Sequence, residues 1–173
     1  MVHATGTIYY GKVSKTPLGD LWLACSARGL VALKWENEGE KLLHYITQRL
    51  KAEVEENPRR LALAASEMRE YLSGRRKRFS IQIDWSTLRS FQREALLATY
   101  AIPYGQTTTY GELAQQLGRP RSARAIGRAE ATNPMPIVIP CHRVLGADGK
   151  LRGYGGGLEI KKWLLQLEGA VLA

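Results

Sequence analysis

Long apolar runs are missing from this chain. The longest, such as Leu61–Ala65 and Pro136–Cys141, fall far short of the roughly 20 residues a membrane span requires. A membrane-spanning role is therefore excluded. The N-terminal stretch MVHATGTIYYGKVSK lacks the order of charge, apolar core and small-residue cleavage site that marks a secretory signal. The expectation is an intracellular, cytoplasmic protein. Cysteine is scarce as well: there are two, Cys25 and Cys141, too widely separated to read as a disulfide in such a compartment. No Cys-x-x-Cys or His-x-x-x-His spacing occurs, so no zinc signature is present and no metal is expected. Acidic residues are the minority. Asp and Glu number 16 against 25 Lys and Arg, for a net charge of +9. An intracellular chain this basic points to a polyanionic partner.

What is present suits a folded protein. The 173 residues are 45% hydrophobic and 24% charged, enough for a real core and too apolar for general disorder. The length fits one domain or two small ones. Thr7–Val13, Leu21–Cys25 and Leu30–Trp35 read as three strands, turned at Pro17-Leu18-Gly19-Asp20 and at Arg28-Gly29. Glu40–Lys51 carries Leu42, Leu43, Ile46 and Leu50 at helical spacing. Pro58 interrupts, and Leu61–Leu72 is helical again, closed by Ser73-Gly74. Arg75–Arg78 reads as a solvated charged connector, and Phe79–Ile83 as one more strand. Composition shifts over Asp84–Ser90, which puts the domain boundary after Asp84.

The second half reads as mainly helical. Phe91–Tyr100 is a helix stopped at Ile102-Pro103-Tyr104-Gly105. Thr109 can cap a helix over Tyr110–Leu117, with Glu112 completing a capping box. After Gly118-Arg119-Pro120, a further helix opens at Arg121 or Ser122 and runs to about Thr132, giving a helix-turn-helix. Val144–Tyr154 reads as a short hairpin around Ala147-Asp148-Gly149, and Ile160–Leu167 as an amphipathic helix. The fold class expected is α+β. Residues 1–84 form a small α/β domain with a three-stranded antiparallel sheet. Residues 85–173 form a mainly helical domain with a winged-helix-like helix-turn-helix and a short hairpin.

Two segments carry chemistry. The second helix of the pair combines small residues, Ala123, Ala125, Gly127, Ala129 and Ala131, with Arg121, Arg124 and Arg128, and no acid falls between Glu112 and Glu130. Small residues allow close approach, and arginines contact phosphates and stack. Few side chains there suit base reading in the major groove. Close packing within the domain would explain the small residues equally well. The other segment, Asn133-Pro134-Met135-Pro136-Ile137-Val138-Ile139-Pro140-Cys141-His142-Arg143-Val144, holds a cysteine beside a base at the end of a proline-stiffened apolar run. That is the setting of an activated nucleophile, although a lone cysteine also serves as a small core residue. Neighbouring residues in extended chain point to opposite sides, so Cys141 and His142 must sit in a turn or communicate through water. Gly153-Tyr154-Gly155-Gly156-Gly157 lets backbone approach a ligand or another element. Glu168 follows the last helix, where a carboxylate is electrostatically misplaced, and His142 is its obvious partner.

Taken in order, these motifs resemble the O6-alkylguanine-DNA alkyltransferases, also called methylated-DNA–protein-cysteine methyltransferases. The resemblance rests on Asn133-Pro134, Pro140-Cys141-His142-Arg143-Val144, Tyr104-Gly105 with Thr109-Tyr110, Arg124-Ala125-Ile126-Gly127, Gly153–Gly157, and Trp163-Leu164-Leu165 with Glu168. It is close from Phe91 to Gly169 and weaker over 1–84. It implies direct reversal of O6-alkylguanine, and of O4-alkylthymine, by one irreversible transfer to Cys141. His142 would act as base through a water, Glu168 would orient it, Asn133 would hold the turn, and Tyr110 would assist guanine's departure. Arg124 would fill the gap left by a flipped base. Ala123, Ala125, Gly127, Arg121, Arg128 and Thr109 would contact DNA. Val144, Leu151, Tyr154, Gly155 and Met135 would line the base pocket. The implied partner is double-stranded DNA, bound by a monomer through the minor groove without sequence preference, and no cofactor is implied. Some relatives hold an N-terminal zinc; here Cys25 could draw only on His3 and His44, so that site is not carried over.

Three other readings compete. A lesion sensor of the same family would have another residue in place of Cys141. A cysteine hydrolase would leave the arginine-bearing helix unexplained. A helix-turn-helix regulator would leave Cys141, His142 and Glu168 unexplained and would usually be dimeric.

Overall fold

The computed structural model describes residues 6–170. The chain divides into two compact units between Arg89 and Ser90. The turn after Asp84 stays with the first unit because of that residue. Its carboxylate accepts from Ser26 Oγ at 2.6 Å and caps the short turn Trp85–Thr87 through Ser86 N at 3.2 Å.

The first unit is a sheet with helices. Strands β1 (Thr7–Thr16), β2 (Gly19–Ser26) and β3 (Gly29–Trp35) form an antiparallel meander. Helix α1 (Gly39–His44) continues through a wider turn, Tyr45–Arg49. Its Leu42, Ile46 and Leu50 pack with Ile8, Ala24, Val31 and Ala32. Each fully buried Leu, Ile or Val side chain among them contributes about 1.5–3 kcal/mol. Helix α2 (Ala62–Leu72) buries Ala64, Met68, Tyr71 and Leu72 and packs against β1.

Two strand expectations need correction here. The sheet has four strands and is mixed, in the order β3-β2-β1-β4. The added strand, β4 (Glu53–Glu56), runs parallel to β1 with Thr7 opposite Glu53. Its sequence, Glu-Val-Glu-Glu, buries little beyond Val54, half-buried against the core, and so shows no apolar alternation; pairing with β1 makes it a strand. Conversely, Phe79–Ile83 is not a strand. Glu67, buried on α2, takes the backbone N–H of Ser80 at 2.8 Å and of Ile81 at 3.2 Å, groups that a ladder would have used. Only the bridge between Leu30 and Ile83 survives, through Leu30 N to Gln82 O and Asp84 N to Leu30 O, each 2.9 Å. Within the Arg75–Arg78 run, Arg76 is tied to α2 by Glu67 and Glu70.

The second unit is mostly helical: α3 (Ser90–Tyr100), α4 (Tyr110–Gln116), α5 (Ala123–Ala131) and α6 (Leu158–Leu167). Ala95, Ile102, Leu113, Ala114, Ile126, Ala129 and Val144 make its core. The Thr109–Glu112 capping box opens α4: Glu112 N donates to Thr109 Oγ1 at 3.2 Å and Thr109 N donates to Glu112 Oε2 at 2.7 Å. Helices α4 and α5 with the turn between them form the helix-turn-helix. The expected hairpin is absent. Strand β6 (Val144–Leu145) pairs in parallel with β5 (Thr108–Thr109), and Gly146–Lys150 is a closed turn that returns to no second strand. Among the described residues, no helix is long and apolar enough to cross a membrane.

Gly29 has φ +139, and a Cβ there would meet Gln82 O at 2.4 Å. Gly29→Ala should therefore destabilise the protein by about 2–3 kcal/mol, read by chemical denaturation.

Candidate active site

The segment from Asn133 to Arg143 builds the site from stiff local geometry. Three prolines forbid helix there, and Ile137 adopts φ +74, a left-handed conformation unusual for a β-branched residue. Asn133 holds this shape. Its Oδ1 accepts from Met135 N at 2.9 Å, while its Nδ2 donates to Ile139 O at 3.0 Å and to Cys141 Sγ at 3.2 Å. Pro140, at φ −81 and ψ 61, then makes an inverse γ-turn closed by Cys141 N to Ile139 O at 2.8 Å. Cys141–Arg143 form one 3-10 turn. A turn, rather than extended chain, is how Cys141 and His142 come to occupy the same region.

Behind the turn lies a buried charge network. His142 Nε2 lies 2.5 Å from Glu168 Oε1. Arg143 grips the same carboxylate with both arms, Nε to Oε2 at 2.8 Å and Nη2 to Oε1 at 3.1 Å. Arg143 Nη1 donates to Ile102 O at 2.5 Å, and Gly105 N donates to Glu168 Oε2 at 3.2 Å. Gly105 is required at that point: its φ is +78, and a Cβ would lie 2.9 Å from Glu168 O. His142 is wholly buried, and its Nδ1 has no hydrogen-bond partner among the described residues.

The electrostatics follow from burial and these bonds. Burial raises Glu168, but bonds from His142 and Arg143 outweigh it and hold the carboxyl down at about 2. Burial also pushes the His142 imidazole below its ordinary range, against the pull of Glu168. At neutral pH this pair is therefore a carboxylate and a neutral imidazole. The ionised carboxylate can only accept, so Nε2 carries the proton and Nδ1 exposes a lone pair. Burial, reinforced by Glu130, pushes the Cys141 thiol up to about 12, although Asn133 and Lys161 favour the thiolate. Such a thiol is inert at neutral pH without a base.

The other residues singled out in the sequence fall into three places. Arg121, Arg124 and Arg128 are exposed, and among the described residues none of them forms an ion pair. Arg119, in contrast, pairs with Glu94 at 2.9 Å. Ala123, Ala125 and Gly127 are half-buried along α5, and a Cβ on Gly127 would lie 4.0 Å from Tyr110 Cδ1. Thr109 and Tyr110 are half-buried at the start of α4, and burial raises the Tyr110 phenol. Tyr154 packs edge-on to His142 with ring centroids 6.4 Å apart. Leu151 is half-buried and Gly155 exposed, whereas Val144 and Met135 are completely enclosed. In the first unit, Cys25 is half-buried and His44 exposed; His3 lies outside the described residues.

Residue-by-residue reading missed Arg143, Lys161 and Glu130. Each left a trace. Arg143 is a charge inside the apolar stretch from Ile137 to Leu145. Lys161 falls in phase with the buried Leu164 and Leu165, and its Nζ donates to Val144 O at 2.6 Å and Arg152 O at 3.2 Å. Glu130 is the single acid of α5.

Fold and site together define a class: a protein with a buried thiol, imidazole and carboxylate centre on a helix-turn-helix unit. The family model described as 6-O-methylguanine DNA methyltransferase, DNA binding domain, matches residues 90–170, and the one described as its ribonuclease-like domain matches residues 8–85. A methylated-DNA–protein-cysteine methyltransferase of Shigella flexneri is 40% identical over 163 residues, covering 91% of this chain and 94% of the relative. That of Mycolicibacterium paratuberculosis is 51% identical over 115 residues, covering 65% and 68%. The crystal structure of Mycobacterium tuberculosis OGT in complex with DNA matches with a TM-score of 0.76 and 36% identity over 93% of this chain and 92% of that one. The chain belongs to the methylated-DNA–protein-cysteine methyltransferase family.

The charge network makes acid the vulnerable side. Glu168 is depressed from 4.5 to about 2, so its contribution, on the order of 3 kcal/mol, is complete above pH 4.5 and lost as pH falls toward 2. His142, depressed from 6.5, acts in the same direction, because protonation favours the unfolded chain. Stability measured by denaturant between about pH 7 and pH 3 should fall with acid, and Glu168→Gln should show a shallower fall below about pH 4.5.

Proposed function

We propose that this protein repairs DNA by moving an alkyl group from guanine O6 to Cys141 Sγ, once per molecule. The observation that carries the reading is His142, bonded at 2.5 Å to the Glu168 carboxylate that fixes its tautomer, in the same turn as a buried thiol. The thiol proton passes through a water to His142 Nδ1. Sγ attacks the alkyl carbon in line, the S–C bond forms, and the C–O6 bond breaks. The departing guanine takes a proton from Tyr110, whose half-buried phenol stays protonated at neutral pH. Asn133, donating to Sγ, steadies the developing thiolate. The thioether is stable and no side chain reverses it, which makes the event single-turnover. The same geometry would serve O4-alkylthymine.

O6 cannot be reached inside the duplex, so the base must flip out. The second unit, whose sequence matches the DNA-binding family model, carries this step, and the first serves as its structural companion. Helix α5 docks in the minor groove as a monomer, its small residues permitting approach and its arginines meeting phosphates without reading sequence. Arg124 fills the vacated stack, and Arg121 and Arg128 hold the backbone. Tyr154, Gly155 and Leu151 receive the base, with Val144 and Met135 packed behind.

Intact-protein mass spectrometry after mixing with an oligonucleotide bearing one O6-methylguanine should show a stoichiometric gain of one methyl group. The gain should map to the Cys141 peptide and be absent in Cys141→Ala. Tight binding without any gain would make the protein a lesion sensor instead. Arg124→Ala should slow repair of duplex DNA by roughly tenfold or more, the scale of base-flipping energies, while sparing reaction with free O6-benzylguanine. Equal losses on both substrates would undo the proposed role of Arg124.

A further inference from the structure

The transfer reading leaves part of the charge unused. Residues 1–89 hold fifteen Lys and Arg against ten Asp and Glu, so more than half of the net charge of +9 lies in the first unit. The DNA-binding family model matches only residues 90–170. This surplus is uneven. On β1, Ile8 and Tyr10 face α1, whereas a Cβ on Gly11 would lie 3.0 Å from Leu61, just before α2. Side chains alternate along a strand, so α1 and α2 cover opposite faces of the sheet. Glu36, Glu38 and Glu40 lead into α1. The C-terminal end of α2 and the connector after it instead carry Arg69, Arg75, Arg76, Lys77 and Arg78.

Hydrogen bonds gather these side chains into one patch. Arg75 N donates back to Glu70 O at 2.9 Å, one residue from Arg69. Arg69 Nε donates to Ser14 O at 3.1 Å, which brings Lys15 alongside. Arg76 Nη1 donates to Arg78 O at 3.0 Å. The acids of this stretch are Glu67 and Glu70, and Arg76 pairs with both, at 3.4 Å and 2.8 Å. Arg76 is thus the internal counter-ion. Lys15, Arg69, Arg75, Lys77 and Arg78 are exposed, and among the described residues Lys15, Arg69, Arg75 and Arg78 form no ion pair. Arg69 spends its Nε on a carbonyl, and Arg75 spends its own on Ser73 Oγ at 2.9 Å. Neutral partners leave the charge uncancelled and the terminal nitrogens available as a fork for phosphate oxygens.

We infer that this patch, Lys15, Arg69, Arg75, Lys77 and Arg78, is a second contact to the phosphate backbone of duplex DNA, separate from the arginines of α5. This rests on the reading of the protein as a sequence-independent binder of DNA. Residues 69–78 contain no Asn or Gln, so the patch reads no bases. The connector has one shape before DNA arrives, because Glu67 holds Ser80 N and Ile81 N and Arg76 closes on Glu67 and Glu70. Binding phosphate there does not carry the cost of ordering a loop. Each arginine that meets a phosphate displaces condensed counterions, so the patch adds affinity for undamaged duplex and makes that affinity fall more steeply with salt.

The test measures affinity of the full chain for an undamaged duplex of about 30 base pairs, a length well beyond one turn, across a range of salt. Wild type is compared with a patch variant, Arg69→Gln with Arg75→Gln and Arg78→Gln. A control variant, Lys34→Gln with Lys41→Gln and Arg49→Gln, removes equal charge from β3 and the α1 region. The slope of log affinity against log salt should be shallower by about 2 to 3 in the patch variant, and affinity near 0.1 M salt should drop about tenfold or more. The control should stay within about 0.5 of the wild-type slope. Transfer from free O6-benzylguanine should be unchanged in both variants. A patch variant with the wild-type slope, or a control that loses as much, would overturn the assignment. A second measurement needs no variant. Bound duplex should protect Lys15 and Lys77 of wild type from acetylation and leave Lys41 reactive, and unprotected Lys15 and Lys77 would also overturn it. Wild-type binding that ignores salt would sink the reading of sequence-independent DNA binding itself, whereas salt-dependent binding with equal slopes in all three proteins would sink only the second contact.

Discussion

A carboxylate buried at the C-terminal end of a helix is an electrostatic debt, and Glu168 sits in that position on α6. Two cationic arms of Arg143, the His142 ring and the Gly105 amide answer it. Those bonds join α6 to the turn that carries Cys141 and to the segment before β5. Arg143 also reaches Ile102 O, so the end of α3 is anchored to the same point. Replacing such a network by apolar residues of similar shape can be neutral for stability, whereas removing one member is costly. Its value therefore lies in geometry: with Glu168 ionised, His142 has one tautomer and one orientation.

The thiol is placed by backbone rather than by side-chain charge. Prolines 134, 136 and 140 remove conformational choice, and Ile137 is held in a conformation that a β-branched residue rarely adopts. Asn133 ties both ends of this segment together and also donates to Sγ. Burial then keeps the thiol protonated until a base acts. A reactive atom that is inert at rest suits the single use proposed for this acceptor. Burial likewise raises the Glu130 carboxyl and lowers the Lys161 ammonium, so the ordinary charges of three groups are contested.

Much of this was legible in the residues. The helical periods of 42–50 and 61–72, the Thr109–Glu112 capping box and the turn at Gly118 are local signals, because a helix makes its own hydrogen bonds. The three meander strands were equally clear from short turns and apolar patterning. Cys141, His142 and Glu168 stood out because rigid prolines and a misplaced carboxylate are chemical anomalies in sequence, whereas Asn133 drew attention only through the family resemblance. Strand β4 was hidden, since Glu53–Glu56 has a single apolar residue and pairs with β1, far back in the chain. The supposed strand at 79–83 failed because a side chain, Glu67, captured its backbone donors. Val144–Leu145 looked like half of a hairpin beside an Asp-Gly turn, and found Thr108–Thr109 instead.

The sequence by itself determined the chemistry available: one cysteine and one histidine held in a stiff segment, a basic helix of small residues, and a carboxylate after the last helix. These follow from local covalent geometry and side-chain type. Only the tertiary structure decided which oxygen His142 faces, that Arg143 completes the pair, and that Glu130 and Lys161 lie in the electrostatic reach of Sγ. Those relations join positions up to dozens of residues apart, and nothing in a residue's local pattern encodes its distant partner. Protonation, too, was decided there, because burial and neighbours, not residue identity, set whether a carboxyl or a thiol carries charge.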